Sequence, residues 1–155
     1  MKYRLINNTR ISNKTLHKII NFVCPKGLSD FIIKVDNDYP TYSGEAFYRS
    51  VRININTKMG MVRKFDTKDM SKYGYYNNLI SQNIREILVA LIAHELRHLW
   101  QKRVSLQDFD NERCQLYECP VNDVVYNIGY KSEKDASLYC KRMLLKWRQF
   151  IKNGN

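Results

Sequence analysis

The sequence predicts a single α+β domain in which a small, antiparallel-dominated sheet packs on a central helix and a C-terminal helix. Three patterns support this fold class: period-two alternation of apolar residues between 31 and 55, apolar residues at helical spacing between 79 and 103, and a second helical stripe after 132. The chain has 155 residues, which suffices for one hydrophobic core. Because no internal repeat or Pro/Gly-rich linker divides it, we expect residues 1–155 to form one domain.

The N-terminal half contains a predicted helix followed by predicted strands. The helix covers 13–23 and follows Ser12, a residue type that caps helices by accepting a first-turn N–H. Its apolar stripe comprises Leu16, Ile19, Ile20 and Val23. The first strand lies near 31–35, and "AFYRSVRININ" (46–56) reads as a second. In that second strand one apolar face would contain Phe47, Val51, Ile53 and Ile55. "TKMG" predicts a turn into a third strand at 61–65, and one-sided apolar faces favour antiparallel pairing.

The C-terminal half contains two long predicted helices. The first covers about 79–103 and is wholly apolar from 87 to 93, so it should run through the core. The second begins near Ser132, which resembles a capping box together with Asp135. Its predicted buried stripe comprises Ala136, Cys140, Met143, Trp147 and Phe150/Ile151.

Composition and charge narrow the cellular context. No apolar segment resembles a signal peptide or reaches the length of a membrane span, so we expect a soluble, cytoplasmic protein without membrane contact. The four cysteines, at 24, 114, 119 and 140, are irregularly spaced; free buried thiols are expected, with a disulfide or a second metal site as alternatives. The net charge of +11 is concentrated in 1–34 and 136–155. A solvated basic surface and a DNA-binding one both fit this distribution.

The segment "AHELRHLWQ" (93–101) carries the chemistry. His94 and His98 are four residues apart, so on a helix they lie one turn above each other, and both imidazoles can bind one metal ion. Glu95 follows the first histidine and can take a proton from a metal-bound water, whose pKa zinc lowers from about 15.7 towards 7. The alternative is an amphipathic helix with incidental polar residues. Burial opposes it, because three ionisable groups after an apolar run are costly without a partner.

The His-Glu-x-x-His pattern of 94–98 (HExxH) occurs in several metallopeptidase subclasses, of which the sequence excludes the metzincins and gives little support to the peptide deformylases. Metzincins require Gly and His where this chain has Gln101 and Val104. Peptide deformylases take an upstream cysteine as ligand, and the only candidate is Cys24, which follows the end of a predicted helix. Arg97 is expected to face solvent or form an ion pair, and Trp100 to pack in the core.

Together, "HELRH" (94–98) and "EKDA" (133–136) resemble the paired motifs of gluzincin-type zinc metallopeptidases, with 34 residues between His98 and Glu133. The resemblance implies a zincin-like fold, a Zn²⁺ ion bound by His94, His98 and Glu133, and Glu95 as general base. Asp135 is the rival third ligand. Many members have Asp or Asn after the Ala to orient a ligand histidine, and this chain departs from them with a serine at 137. The compact size is similar to minimal gluzincins and SprT-like proteases, including phage or mobile-element enzymes.

The activity implied is hydrolysis of peptide bonds in a protein or peptide substrate, held by strand pairing at an edge strand, with 61–65 as candidate. Tyr126 and Tyr130 precede the last helix and are candidate donors to the developing oxyanion, unless they pack at the edge of the core. Two alternatives remain open. One is a SprT-like protease that acts on DNA-associated proteins and holds DNA with its basic ends. The other is a non-catalytic zinc-binding module, and the presence of Glu95 counts against it because a purely structural site needs no general base.

Overall fold

A computed structural model describes residues 1–37, 43–55, 83–104 and 131–154, without the side chains at 43, 104, 131, 133 and 134. The described part is α+β, as predicted, with three helices and a four-stranded mixed sheet. In chain order the elements are β1 (Tyr3–Asn7), α1 (Asn13–Val23), β2 (Phe31–Asp36), β3 (Ser43–Ala46), β4 (Ser50–Asn54), α2 (Ile84–Val104) and α3 (Lys131–Lys152). The predicted strand at 61–65 lies outside the described residues.

The described sheet has the strand order β1-β2-β4-β3. Strands β1 and β2 pair in parallel, as do β2 and β4, and only β3 and β4 are antiparallel. The prediction of an antiparallel-dominated sheet is therefore wrong for these strands. The short strand β1 was not predicted, and it makes α1 a crossover between two parallel strands, a connection that parallel pairing needs.

The predicted strand over 46–56 is a hairpin instead. The chain turns between β3 and β4, where Phe47 N–H donates to the Ser50 carbonyl at 2.7 Å. Val51 and Ile53 face the core as predicted, whereas Phe47 is 46% exposed. Apolar alternation is a property of spacing alone and continues through this turn, so it gave no sign of where the strand ends.

Helix α2 is the centre of the core and contacts α1, α3, β3 and β4. The predicted apolar run at 87–93 is buried throughout. The prediction for α1 is confirmed, including its cap, since Ser12 Oγ accepts the N–H of Thr15 at 3.2 Å. Its four predicted core residues, Leu16, Ile19, Ile20 and Val23, are all fully buried. The site helix is therefore enclosed by apolar surfaces from both helices and the sheet.

Helix α3 covers the other side of α2. Its predicted stripe is buried at Ala136, Cys140, Met143 and Trp147, but Ile151 is 42% exposed. A salt bridge of 2.7 Å between Arg148 and Glu86 joins its C-terminal half to the start of α2. Within the described ranges, neither of the long helices, nor α1, combines the length and apolar character that a bilayer span requires.

Candidate metal centre

His94 and His98 project from successive turns of α2 into the same space. Their side chains are nearly buried, at 9% and 7% exposure. The two Nε2 atoms lie 2.9 Å apart, and the rings meet edge to face with centroids 4.6 Å apart. The two histidines are one helical turn apart in the sequence, and the structure brings their Nε2 atoms together.

The nitrogen geometry fits a shared metal ion. Two imidazole nitrogens about 2.0–2.1 Å from a tetrahedral zinc ion lie about 3.3 Å from each other. The observed separation of 2.9 Å is therefore only about 0.4 Å shorter, a difference that small rotations of the two rings can supply. Buried imidazole nitrogens that converge in this way are a donor set suited to zinc.

Glu95 lies between the histidine pair and the sheet. It is 7% exposed, and its side chain packs directly against the backbone of Gly44 in β3. A methyl group at Gly44 would lie 2.5 Å from Glu95 Cγ and 2.6 Å from its Oε1. Gly44 does not have a positive φ, so close approach, not backbone conformation, is what requires glycine here. Glu95, next to the histidine pair, thus packs against β3, one of the two outer strands of the described sheet.

Gln101 connects α2 to the first turn of α3. Its Nε2 donates to the Ser132 carbonyl at 3.0 Å and to Asp135 Oδ2 at 2.7 Å, while its Oε1 lies 2.9 Å from His98 Nδ1. Glu133 stands between Ser132 and Asp135 in the same turn, so its backbone is held close to the His98 end of α2. The Glu133 side chain lies outside the described part of the structure.

Asp135, the rival third ligand, is already engaged. Arg97 donates to both of its carboxylate oxygens, at 2.6 and 3.1 Å, so the ion pair is one of the two outcomes expected for Arg97. Burial by itself raises the pKa of Asp135, but hydrogen bonds from Arg97 and Gln101 and the charges of Arg97 and Arg142 outweigh it and lower that pKa. The carboxylate of Asp135 is therefore engaged by Arg97 and Gln101.

The described side chains do not by themselves complete a metal site. Within the portion of the chain whose side chains are described, no three His, Cys, Asp or Glu residues group closely enough to bind an ion. The predicted third ligand, Glu133, is not among those side chains, and the candidate oxyanion donors Tyr126 and Tyr130 fall outside the described ranges. Trp100 packs against the core as expected, though it is only partly buried.

Sequence reasoning missed two residues that this structure places at the centre. Gly44 lies in "SGEA", and a glycine inside a strand is a known sign of close backbone approach, but that strand was not recognised. In the sequence, Gln101 drew attention only because metzincins require glycine at that position. Its position three residues after His98 on a helix was the available signal for a contact.

The basic C-terminal end has structural contacts of its own. Arg148 pairs with Glu86, and the Arg142 guanidinium lies 5.2 Å from the centroid of the Tyr139 ring. Arg148 therefore joins α3 to α2, whereas the contact of Arg142 with Tyr139 lies within α3.

Comparison with models of protein families, with curated proteins and with solved structures finds no match to this chain.

Proposed function

We propose that this protein is a zinc-dependent metallopeptidase that hydrolyses peptide bonds, with His94, His98 and Glu133 as zinc ligands and Glu95 as general base. The observation that carries the proposal is the convergence of two buried imidazole Nε2 atoms to 2.9 Å, with the Glu95 carboxylate on the same helix. Enclosing three ionisable side chains in an apolar core costs free energy, and metal coordination together with catalysis accounts for all three.

The third ligand is proposed from the position of its backbone. Glu133 is in the first turn of α3, and the Gln101 contact with Ser132 holds that turn against α2 close to His98. Asp135 is occupied by Arg97 and Gln101. Two histidines and one glutamate leave one corner of a tetrahedral ion for water or substrate, as a catalytic site needs.

A zinc ion bound there would polarise the scissile carbonyl and acidify a water molecule. The carboxylate of Glu95 would accept a proton from the attacking water as the new C–O bond forms. The same carboxylate would then return a proton to the amide nitrogen as the C–N bond breaks, so that a carboxylic acid and an amine leave. Tyr130 and Tyr126 stay as candidate donors to the oxyanion.

The substrate would be an extended peptide. β3 is one of the two outer strands of the described sheet, and its Gly44 lies against Glu95. A peptide that pairs with an outer strand presents its backbone at regular intervals along that strand. Pairing with β3 would therefore bring a backbone amide to the Glu95 carboxylate; the earlier candidate for this role, 61–65, is outside the described residues.

Metal analysis is the first test of this proposal. Purified protein should contain about one zinc ion per chain, as for other sites of this type. His98→Ala should lose it, whereas His17→Ala, which changes an exposed histidine on α1, should retain it. Absence of zinc from the purified protein, with no uptake of added zinc, would refute the proposal.

Peptide-library digestion separates the enzyme from a non-catalytic zinc module. Glu95→Gln keeps the size of the side chain but removes the base, so it should keep zinc and lose cleavage. Cleavage by wild type that a chelator abolishes and zinc restores is the expected result. A zinc-loaded wild-type protein that cleaves no peptide in the library would favour the non-catalytic module.

A further inference from the structure

Gln101 contacts His98 on the side of the imidazole that faces away from the histidine pair. His98 Nε2 faces His94 Nε2 at 2.9 Å, and His98 Nδ1 faces Gln101 Oε1, also at 2.9 Å. The glutamine therefore contacts the ring nitrogen that faces away from His94.

The neighbours of the amide group fix its orientation. The Ser132 carbonyl and the Asp135 carboxylate can only accept hydrogen bonds, so the NH₂ end of Gln101 must face them, at 3.0 and 2.7 Å. Both of its N–H groups are then used. The amide oxygen is left to face His98, and since an amide oxygen can only accept, the proton of the neutral imidazole must be on Nδ1. His98 Nε2 thus presents its lone pair towards His94.

Asp135 is held as firmly as Gln101. Arg97 binds both of its carboxylate oxygens. The guanidinium of Arg97 lies 4.1 Å from the centroid of the Trp100 ring and 5.3 Å from that of Tyr139. Because the guanidinium is already stacked on these rings, Arg97 loses little further side-chain conformational entropy when it binds a carboxylate. Arg97 therefore holds Asp135, Asp135 holds the amide of Gln101, and Gln101 contacts His98.

We propose that Gln101 is a positioning residue that fixes the tautomer and ring orientation of His98, with Asp135 and Arg97 holding the glutamine amide. The inference rests on the proposed zinc site, because a metal-binding histidine needs its coordinating nitrogen unprotonated and its ring correctly aimed. It goes beyond that site in assigning a role to a residue that neither binds the metal nor touches substrate. It also gives the contact between α2 and α3 a function besides packing.

The first test is zinc affinity, measured by competition with a chromophoric chelator. Gln101→Ala removes the acceptor opposite Nδ1 and should weaken zinc binding by about 10–100-fold, the usual effect of losing such a partner. Gln149→Ala, an identical change at an exposed position on α3, should leave the affinity unchanged. Equal affinity of wild type and Gln101→Ala would overturn the inference.

The second test needs neither zinc nor a variant. Ring ¹⁵N chemical shifts of His98 in metal-free wild-type protein, at about pH 8 where an ordinary imidazole is neutral, should report Nδ1 protonated and Nε2 unprotonated. The opposite tautomer would overturn the inference even if Gln101→Ala failed to fold. If wild type bound no zinc but showed the expected tautomer, the proposed function would fail while the role of Gln101 in setting the tautomer would stand.

Discussion

The contact between Gly44 and Glu95 gives the sharpest mutational prediction. A methyl group at Gly44 would lie 2.5 Å from Glu95 Cγ, whereas carbon atoms in contact are about 3.5–4.0 Å apart. In Gly44→Ala, therefore, the Glu95 side chain or strand β3 must move by about 1 Å. A displacement of about 1 Å at a catalytic group costs roughly 100-fold in rate, which corresponds to about 2.7 kcal/mol of transition-state stabilisation.

The assay is steady-state cleavage of a peptide identified from the library, with zinc content and thermal unfolding measured on the same samples. We expect kcat/KM to fall about 100-fold while zinc affinity stays unchanged, because Glu95 is not a proposed ligand. Gly154→Ala is a control for an added methyl group away from the site: nothing lies within 4 Å of it, and although its φ of 83° strains the backbone there, that strain is confined to the residues after α3, so full activity should be retained. A folded Gly44→Ala protein with wild-type kcat/KM would refute the reasoning.

A double-mutant cycle tests whether Gly44 acts through Glu95. In the Glu95→Gln background the base is already absent, so adding Gly44→Ala should change the residual activity little. If the two losses multiplied instead, the substitution at Gly44 would be acting by another route, such as a general distortion of β3.

Three further predictions concern stability, each measured by denaturant unfolding. Ala136→Leu adds volume at a fully buried position and should cost about 1–3 kcal/mol, whereas Leu138→Ala, at 52% exposure, should change little. Asp36 is fully buried, which raises its pKa, but hydrogen bonds from neighbouring cationic and amide groups outweigh burial and lower that pKa overall. The unfolding free energy should therefore decrease as the pH falls below about 4, and Asp36→Asn should make that decrease smaller. Burial raises the pKa of Cys24 to about 11 and that of Tyr139 to about 12, which favours their neutral forms in the folded state. The unfolding free energy should therefore fall as the pH rises above about 9, and Cys24→Ser should remove part of that slope.

Local patterns predicted the helices because helix formation depends on neighbours in sequence. Ser12 caps α1 and the stripe that follows it is fully buried, as its spacing of three and four residues requires. The same holds for the buried stripe of α3 as far as Trp147. These features need no information from the rest of the chain.

Pairing direction and long-range contacts depend on information that local patterns lack. Val51 and Ile53 alternate with polar residues in the same way whether β4 has parallel or antiparallel neighbours, and the actual sheet provides one of each. The contact of Gly44 with Glu95 joins residues in different elements, as does that of Gln101 with Asp135. The histidine pair was predictable because both histidines are on one helix, whereas Gly44 and Asp135, which contact the neighbouring side chains Glu95 and Gln101, come from other elements.

The position of the site within α2 explains why those other elements are needed. From Ile87 to Leu99 every residue of helix α2 except Arg97 is buried, so this stretch has no broad polar face on which ionisable side chains could be left in water. Each polar group there must be held by a partner, because an unsatisfied one would cost several kcal/mol, with roughly 2–7 typical of a neutral group. Gln101 provides such a partner for His98, and β3 provides a closely fitting surface for Glu95. The same burial excludes water and lowers the local dielectric, which strengthens the interactions of a bound cation with its ligands. Stability and the proposed catalysis therefore place the same demand on this helix: its buried polar groups must be fixed by their neighbours. A substitution that loosens Gln101 or crowds Gly44 should affect the proposed activity before it unfolds the protein.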